Sequence, residues 1–205
     1  KLEICVSSLL SAITANKGGA ARLELCGCVE EGGISPSKGL IEIVRGQITI
    51  DLFVLIRPRT GNFIYGDSEF KVMKKDIIEC GKIGCQGIST GILTKDGEID
   101  IERNKELVDI AKNSGMEITF HRAIDRTTNI LRAAEDIVKL GFDRILSSGG
   151  YPTAHLGINN LLEMHKTFGK QIKIMPGAGI TPQNIREIAT STGAREFHGT
   201  SKLKI

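Results

Sequence analysis

The 205-residue sequence predicts an α/β fold, a (β/α)8 barrel of TIM type, in a single domain over residues 1–205. Three observations carry that expectation. Eight short apolar, strand-like runs alternate with helical stretches from end to end. The links from helix to strand are short and hold a helix-stopping glycine. The links from strand to helix are longer and hold the unusual residues, as in barrels whose active sites follow the strand C-termini. A doubly wound open sheet is the structural rival, and it requires a reversal of strand order.

The first strand is expected over Leu2–Val6, with Ser7 or Ser8 capping a helix that runs through Ala15 and stops at Gly18-Gly19. The second strand, Leu23–Cys26, alternates Leu23 and Leu25 with Glu24 and Cys26. A loop rich in glycine and acid follows, Ser35-Pro36 supplies a cap and a first-turn proline, and a helix spans Ser37–Arg45. Strand three is Asp51–Arg57, ending in Arg57-Pro58-Arg59, with a helix over Ser68–Cys80. Strand four, Gly87–Ile92, leads through the turn Thr94-Lys95-Asp96-Gly97 to a helix capped by Asp100 and ending at Asn113.

Strand five is Glu117–His121 and precedes a helix from Asn129 to Leu140. Strand six, Asp143–Ser147, runs into Ser148-Gly149-Gly150 and a helix over Ile158–Phe168. Strand seven, Ile172–Met175, ends in Pro176-Gly177-Ala178-Gly179, and Thr181-Pro182 opens a helix that ends by Gly193. Strand eight is Glu196–His198. The sequence ends where an eighth helix would begin, so the last helix is expected to be short or missing.

Composition narrows the function. A net charge of +3 with no basic run argues against nucleic acid. No apolar run is long enough to span a bilayer, which argues against a membrane protein. Lys1-Leu2-Glu3-Ile4 reads as strand rather than signal peptide. Five cysteines, odd in number and sparse, suit reduced thiols in a cytoplasmic protein.

The inward parity of the strands brings a polar set together: Glu3 and Cys5, Glu24 and Cys26, Arg57, Thr119 and His121, Glu196 and His198. Glu24, Arg57, His121, Glu196 and His198 are therefore catalytic candidates, with Glu24–Arg57 and Glu196–histidine pairs expected to neutralise one another. The same set also reads as a polar core layer of buried ion pairs. Small residues after strands six, seven and eight leave backbone N–H groups open to an anion. Ser148, Gly149, Gly177, Gly179, Gly199 and Thr200, with Ser201 beside them and Arg122 supplying charge, form that candidate anion site. Cys5 and Cys26 share the inward face of successive strands, and facing thiolates suit a soft ion such as Cu(I) or zinc. Cys28 is a possible third ligand, the alternative for all three being small buried hydrophobes, while Cys80 and Cys85 fall at the far end of the barrel. Dinucleotide, P-loop, nucleophile-elbow and Schiff-base-lysine patterns are absent from the sequence.

Leu2-Glu3-Ile4-Cys5-Val6, Arg22-Leu23-Glu24-Leu25-Cys26, Glu31-Gly32-Gly33, Ile56-Arg57-Pro58-Arg59, Thr119-Phe120-His121-Arg122-Ala123, Asp143-Arg144-Ile145-Leu146, Met175-Pro176-Gly177 and Glu196-Phe197-His198 together give a resemblance across essentially the whole chain. In these strings the sequence resembles the bacterial and animal CutC family of copper homeostasis proteins. The resemblance implies a barrel, a cytoplasmic location, a homo-oligomer (dimer or tetramer) and Cu(I) at Cys5 and Cys26. The sequence departs from the family pattern at Ala178, where a third glycine is frequent, at Thr200-Ser201-Lys202, which stands in place of Ser-Ala-Arg, and at Cys28. Two functions follow as expectations. One is copper handling through the barrel-mouth thiols. The other is an enzyme of unknown reaction on a small anionic or phosphorylated ligand, with Glu24 or His121 as acid/base and Arg57 and Arg122 holding the anion.

Overall fold

Strand and helix alternate because the apolar pattern switches period at each link, and glycines in the left-handed region end several helices; Gly84 (φ 83°) and Gly141 (φ 91°) cap two of them. The computed structural model describes residues 1–200. It contains β1 Leu2–Val6, α1 Leu9–Lys17, β2 Arg22–Leu25, α2 Lys38–Gln47, β3 Asp51–Leu55, α3 Asp67–Ile83, β4 Gly87–Thr90 and α4 Ile101–Asn113. The second half contains β5 Glu117–Phe120, α5 Ile130–Leu140, β6 Arg144–Ser147, α6 Ile158–Phe168, β7 Lys173–Pro176, α7 Ile185–Thr192 and β8 Phe197–Gly199. Short 3-10 helices, Val29–Glu31 and Arg122–Arg126, lie in the loops after β2 and β5. The position of an eighth helix, with Ser201 and Lys202, falls outside the described residues.

The ladders between these strands are parallel, and the strand order is β7-β6-β5-β4-β3-β2-β1-β8. That order is a TIM-type barrel read from a single seam, and it contains no reversal of the kind a doubly wound sheet needs. The seam lies between β7 and β8, which no ladder joins among the described residues. Among those residues no helix is long and apolar enough to cross a membrane.

Some boundaries move inward from those expected, for local reasons. β3 stops at Leu55, and the Arg57 N–H turns to Ser35 Oγ (2.9 Å). β4 stops at Thr90, and the Ile92 N–H donates to the buried Asn104 Oδ1 (3.1 Å) on α4. The turn from Thr181 is held by reciprocal bonds between Thr181 and Asn184, and regular helix starts only at Ile185.

The outward faces of the strands (Leu23, Leu25, Leu52, Val54, Ile88, Ile118, Ile145) are buried in one apolar core under the helices. Inside the barrel, Phe53 fills the space beside Gly87, where a Cβ would lie 2.4 Å from its ring. Below the mouth, Arg22, Arg144, Glu3 and Glu196 form a buried charged layer. Glu196 Oε2 accepts from Arg22 Nη2 (2.9 Å) and Arg144 Nε (2.6 Å), and Arg22 also pairs with Glu3. Both guanidiniums sit over the Phe53 ring, 4.7 and 5.2 Å from its centroid. The expected Glu196–histidine pair is thus replaced by two arginines, because Arg22 and Arg144 share Glu196's depth in the barrel. The expected Glu24–Arg57 pair is also not made: Arg57 donates to the carbonyls of Gly33 and Gly61 (both 2.8 Å), while Glu24 faces His198.

Candidate functional site at the barrel mouth

β1, β2 and β8 are neighbours, so their inward residues meet at one side of the mouth. Cys5 Sγ lies 2.9 Å from Cys26 Sγ, with both thiols free. Cys5, Glu24 and His198 each offer a donor atom within 4.8 Å of the other two. Glu3 links this group to the charged layer below. Its Oε1 is 2.7 Å from His198 Nδ1, and the other imidazole nitrogen lies 3.8 Å from Glu24 Oε2. Burial alone would raise the Glu3 carboxyl, but His198 and Arg22 outweigh it and bring it down to about 2. Glu3 therefore stays ionised and accepts the Nδ1–H, which turns Nε2 toward the mouth.

Burial disfavours the His198 imidazolium, yet Glu24, Cys5 and Glu3 outweigh it and raise His198 well above its ordinary range. Burial raises Glu24, against His198 and with the added repulsion of Glu3. The hydrogen bond with Cys26, then burial, pushes the Cys5 thiol up, so the Cys5 sulfur rests as a protonated thiol.

The opposite side of the mouth is cationic and aromatic. Arg57 lies 4.9 Å over the Phe63 ring, and Phe63 packs 4.8 Å from the His121 ring. His121 is buried, and burial together with the Arg57 charge brings it down to about 3. Arg122 is fixed by Asp125 (2.8 Å) and by Ser148 Oγ (2.9 Å). A cavity of about 440 Å³ lies between the two sides.

The cavity brings together Cys5, Glu24, Cys26, Arg57, His121, Arg122, Gly179, His198, Gly199 and Thr200. Glu196 does not reach it and belongs to the layer below. Ser148, Gly149 and Gly177 do not line it either, and their polar groups are already engaged. The Ser148 N–H donates to Asp125 (3.0 Å), the Gly149 N–H to Ser147 Oγ (2.8 Å) and the Gly177 N–H to the Ser147 carbonyl (2.9 Å). Cys28 is exposed with φ 49° and stands outside the cavity. Sequence reasoning passed over Phe63, which lies in an irregular loop. It also passed over Arg22, although Arg22 shares the parity of Glu24 and Cys26.

The loop after β7 carries Ala178 at φ 75°, a region costly for a residue with a Cβ. Ala178→Gly relieves that strain at a smaller cost in unfolded-chain entropy. It is expected to stabilise the protein by about 1 kcal/mol, or about 2–4 °C in Tm. Urea and thermal unfolding measure it, and a loss of stability would show that the methyl group's contacts outweigh the strain.

The CutC family model matches residues 1–203. A CutC family protein of Xanthomonas campestris pv. campestris is 40% identical over 201 residues, covering 98% of this chain and 83% of the relative. One from Vibrio cholerae serotype O1 is 41% identical over 202 residues, covering 98% and 80%. The crystal structure of CutC from Streptococcus agalactiae, whose assignment to copper homeostasis is itself provisional, superposes with a TM-score of 0.91 at 30% identity and covers 99% of each chain.

Proposed function

The chain belongs to the CutC family, and from that premise we propose that it handles copper in the cytoplasm by holding Cu(I) at the Cys5–Cys26 thiol pair. The contact of two free thiols, 2.9 Å apart at the base of an open mouth, carries this reading. The donor set fits the ion. Thiolates are soft ligands, and an imidazole beside them suits copper as well. His198 is held as metal-binding histidines commonly are, with its far nitrogen bonded to a carboxylate, here Glu3 (2.7 Å). Glu24 is a hard ligand and serves instead to offset charge at the imidazole.

The chain's residues set the terms of binding. Cys5 and Cys26 present sulfur, and both must shed protons for thiolate to form. Cys26 is nearly sealed, so entry is from the Cys5 side, where the strand is less buried. Glu3 fixes the ring orientation of His198 from below.

Anaerobic Cu(I) titration against a strong competing chelator tests the reading. The wild type is expected to hold Cu(I) tightly, and Cys5→Ser/Cys26→Ser to bind at least about a hundredfold more weakly, a difference of about 2.7 kcal/mol. Binding unchanged in the double variant would leave the thiols as core filling.

A further inference from the structure

A single ion does not need the space at this mouth, which at about 440 Å³ falls in the range of small-molecule pockets. The side opposite the thiols is also built for something other than a cation. His121 N–H pairs with the Thr90 carbonyl, and its Nδ1 accepts the Ala123 N–H at 3.3 Å. A nitrogen that accepts carries no proton, so the ring proton is on Nε2. That Nε2–H is buried in a residue lining the cavity and has no partner among the described residues. The buried Arg57 Nε is likewise without an acceptor among them. Two orphaned donors, both on residues that line this cavity, mark where an acceptor belongs.

The charge on that side has the matching sign. A second cavity of about 700 Å³ adjoins the first through Gly32, Arg57, Phe63 and Arg122. It adds Lys95 and Arg126 and only one acid, Glu31. A cationic approach of this kind concentrates anions at the opening. The guanidinium of Arg122 is held rigid by Asp125, whose carboxylate also takes Ser147 Oγ (2.6 Å) and the Gly150 N–H (3.0 Å). Pre-positioned guanidiniums suit planar or tetrahedral oxyanions.

We propose that the mouth cavity binds a small organic oxyanion, a carboxylate or a phosphate monoester, whose anionic oxygens take the His121 Nε2–H and lie against Arg57 and Arg122. The remainder of the ligand extends across the cavity toward Gly199 and the Cys5 thiol. His121 acts there as a neutral donor, and the guanidiniums supply the charge. This proposal does not rest on the copper reading, because its groups lie in the loops after β3 and β5, whereas Cys5 lies on β1 and Cys26 directly follows β2.

Binding is tested on the full chain with malonate and with glycerol 3-phosphate, each against potassium chloride at matched ionic strength. The readouts are calorimetry and the 15N spectrum of labelled histidine side chains. The expected result is saturable binding by at least one probe, with the His121 Nε2–H signal shifted downfield as it gains an acceptor. The tighter probe identifies which oxyanion the site prefers. Arg122→Gln is expected to weaken that binding about tenfold or more. Should that variant fail to fold, the His121 signal of the wild-type protein still decides. No saturable binding of either probe up to about 20 mM, or binding that moves the exposed His155 and leaves His121 unchanged, would overturn the proposal.

Discussion

Replacing Glu196 with alanine is expected to cost the fold about 3–5 kcal/mol, the range for removing one member of a buried ion cluster. Its Oε2 is the acceptor shared by Arg22 Nη2 and Arg144 Nε, and Arg144 is 1% exposed. Without that carboxylate two guanidiniums remain beside the Phe53 ring in the barrel interior. Arg22 keeps Glu3, and Arg144 keeps Glu117 (2.9 Å) and Thr119 (3.2 Å), so the network is thinned rather than erased. Urea unfolding at neutral pH measures the loss, and Glu196→Asp should recover part of it. A cost below about 1 kcal/mol would show that the arginines reach water or re-pair at no expense.

Acid should unfold the protein through the same layer. Glu3 and Glu196 are both held at about 2, against an ordinary value of 4.5. Burial opposes the shift in each. Glu3 owes it to His198 and Arg22, Glu196 to Arg144 and Arg22. Because the folded pKa is depressed, the unfolded chain binds more protons between these values. The stabilisation is complete above about 4.5 and is lost as pH falls toward about 2, on the order of 3 kcal/mol for each carboxylate. Glu24, whose carboxyl is raised by burial, acts in the opposite sense above about 4.5 and leaves the fall below that value unchanged. Denaturation midpoints from pH 7 to pH 3 are expected to fall most steeply below about 4.5, and Glu3→Gln should flatten that fall. Midpoints indifferent to pH over this window would mean that neither carboxylate is ion-paired in solution.

The barrel was legible because strand and helix periods alternate and glycines close the helices. The Glu3/Cys5 and Glu24/Cys26 faces were legible because parity in a strand is strict. The pairings were not. Glu24 and Arg57 share an inward face, yet Arg57 sits past the end of β3, where the carbonyls of Gly33 and Gly61 take its guanidinium. Parity gives a side, and depth along the barrel axis, which decides partners, depends on stagger between strands. The same missing dimension hid Arg22 and Arg144 from Glu196. Gly87 opens β4 as expected, and it is a strand residue without a side chain because Phe53, from the neighbouring strand, occupies that space. In the loops after β6 and β7, Asp125 takes the Ser148 N–H and the Ser147 carbonyl takes the Gly177 N–H across separations that spacing does not reveal, while Gly179 does line the cavity.

The sheet order joins β1 to β8, so residues 3 and 198 touch across nearly the whole chain. The two halves of the mouth are therefore unequal in folding order. The thiols, 21 residues apart, can meet as soon as β1 and β2 align. The imidazole that stands beside them is delivered only by the last strand. Any partly assembled barrel without β8 carries the sulfur pair bare, with Glu3 unclaimed by His198, so the finished donor set is itself a signature of β8 docking onto β1.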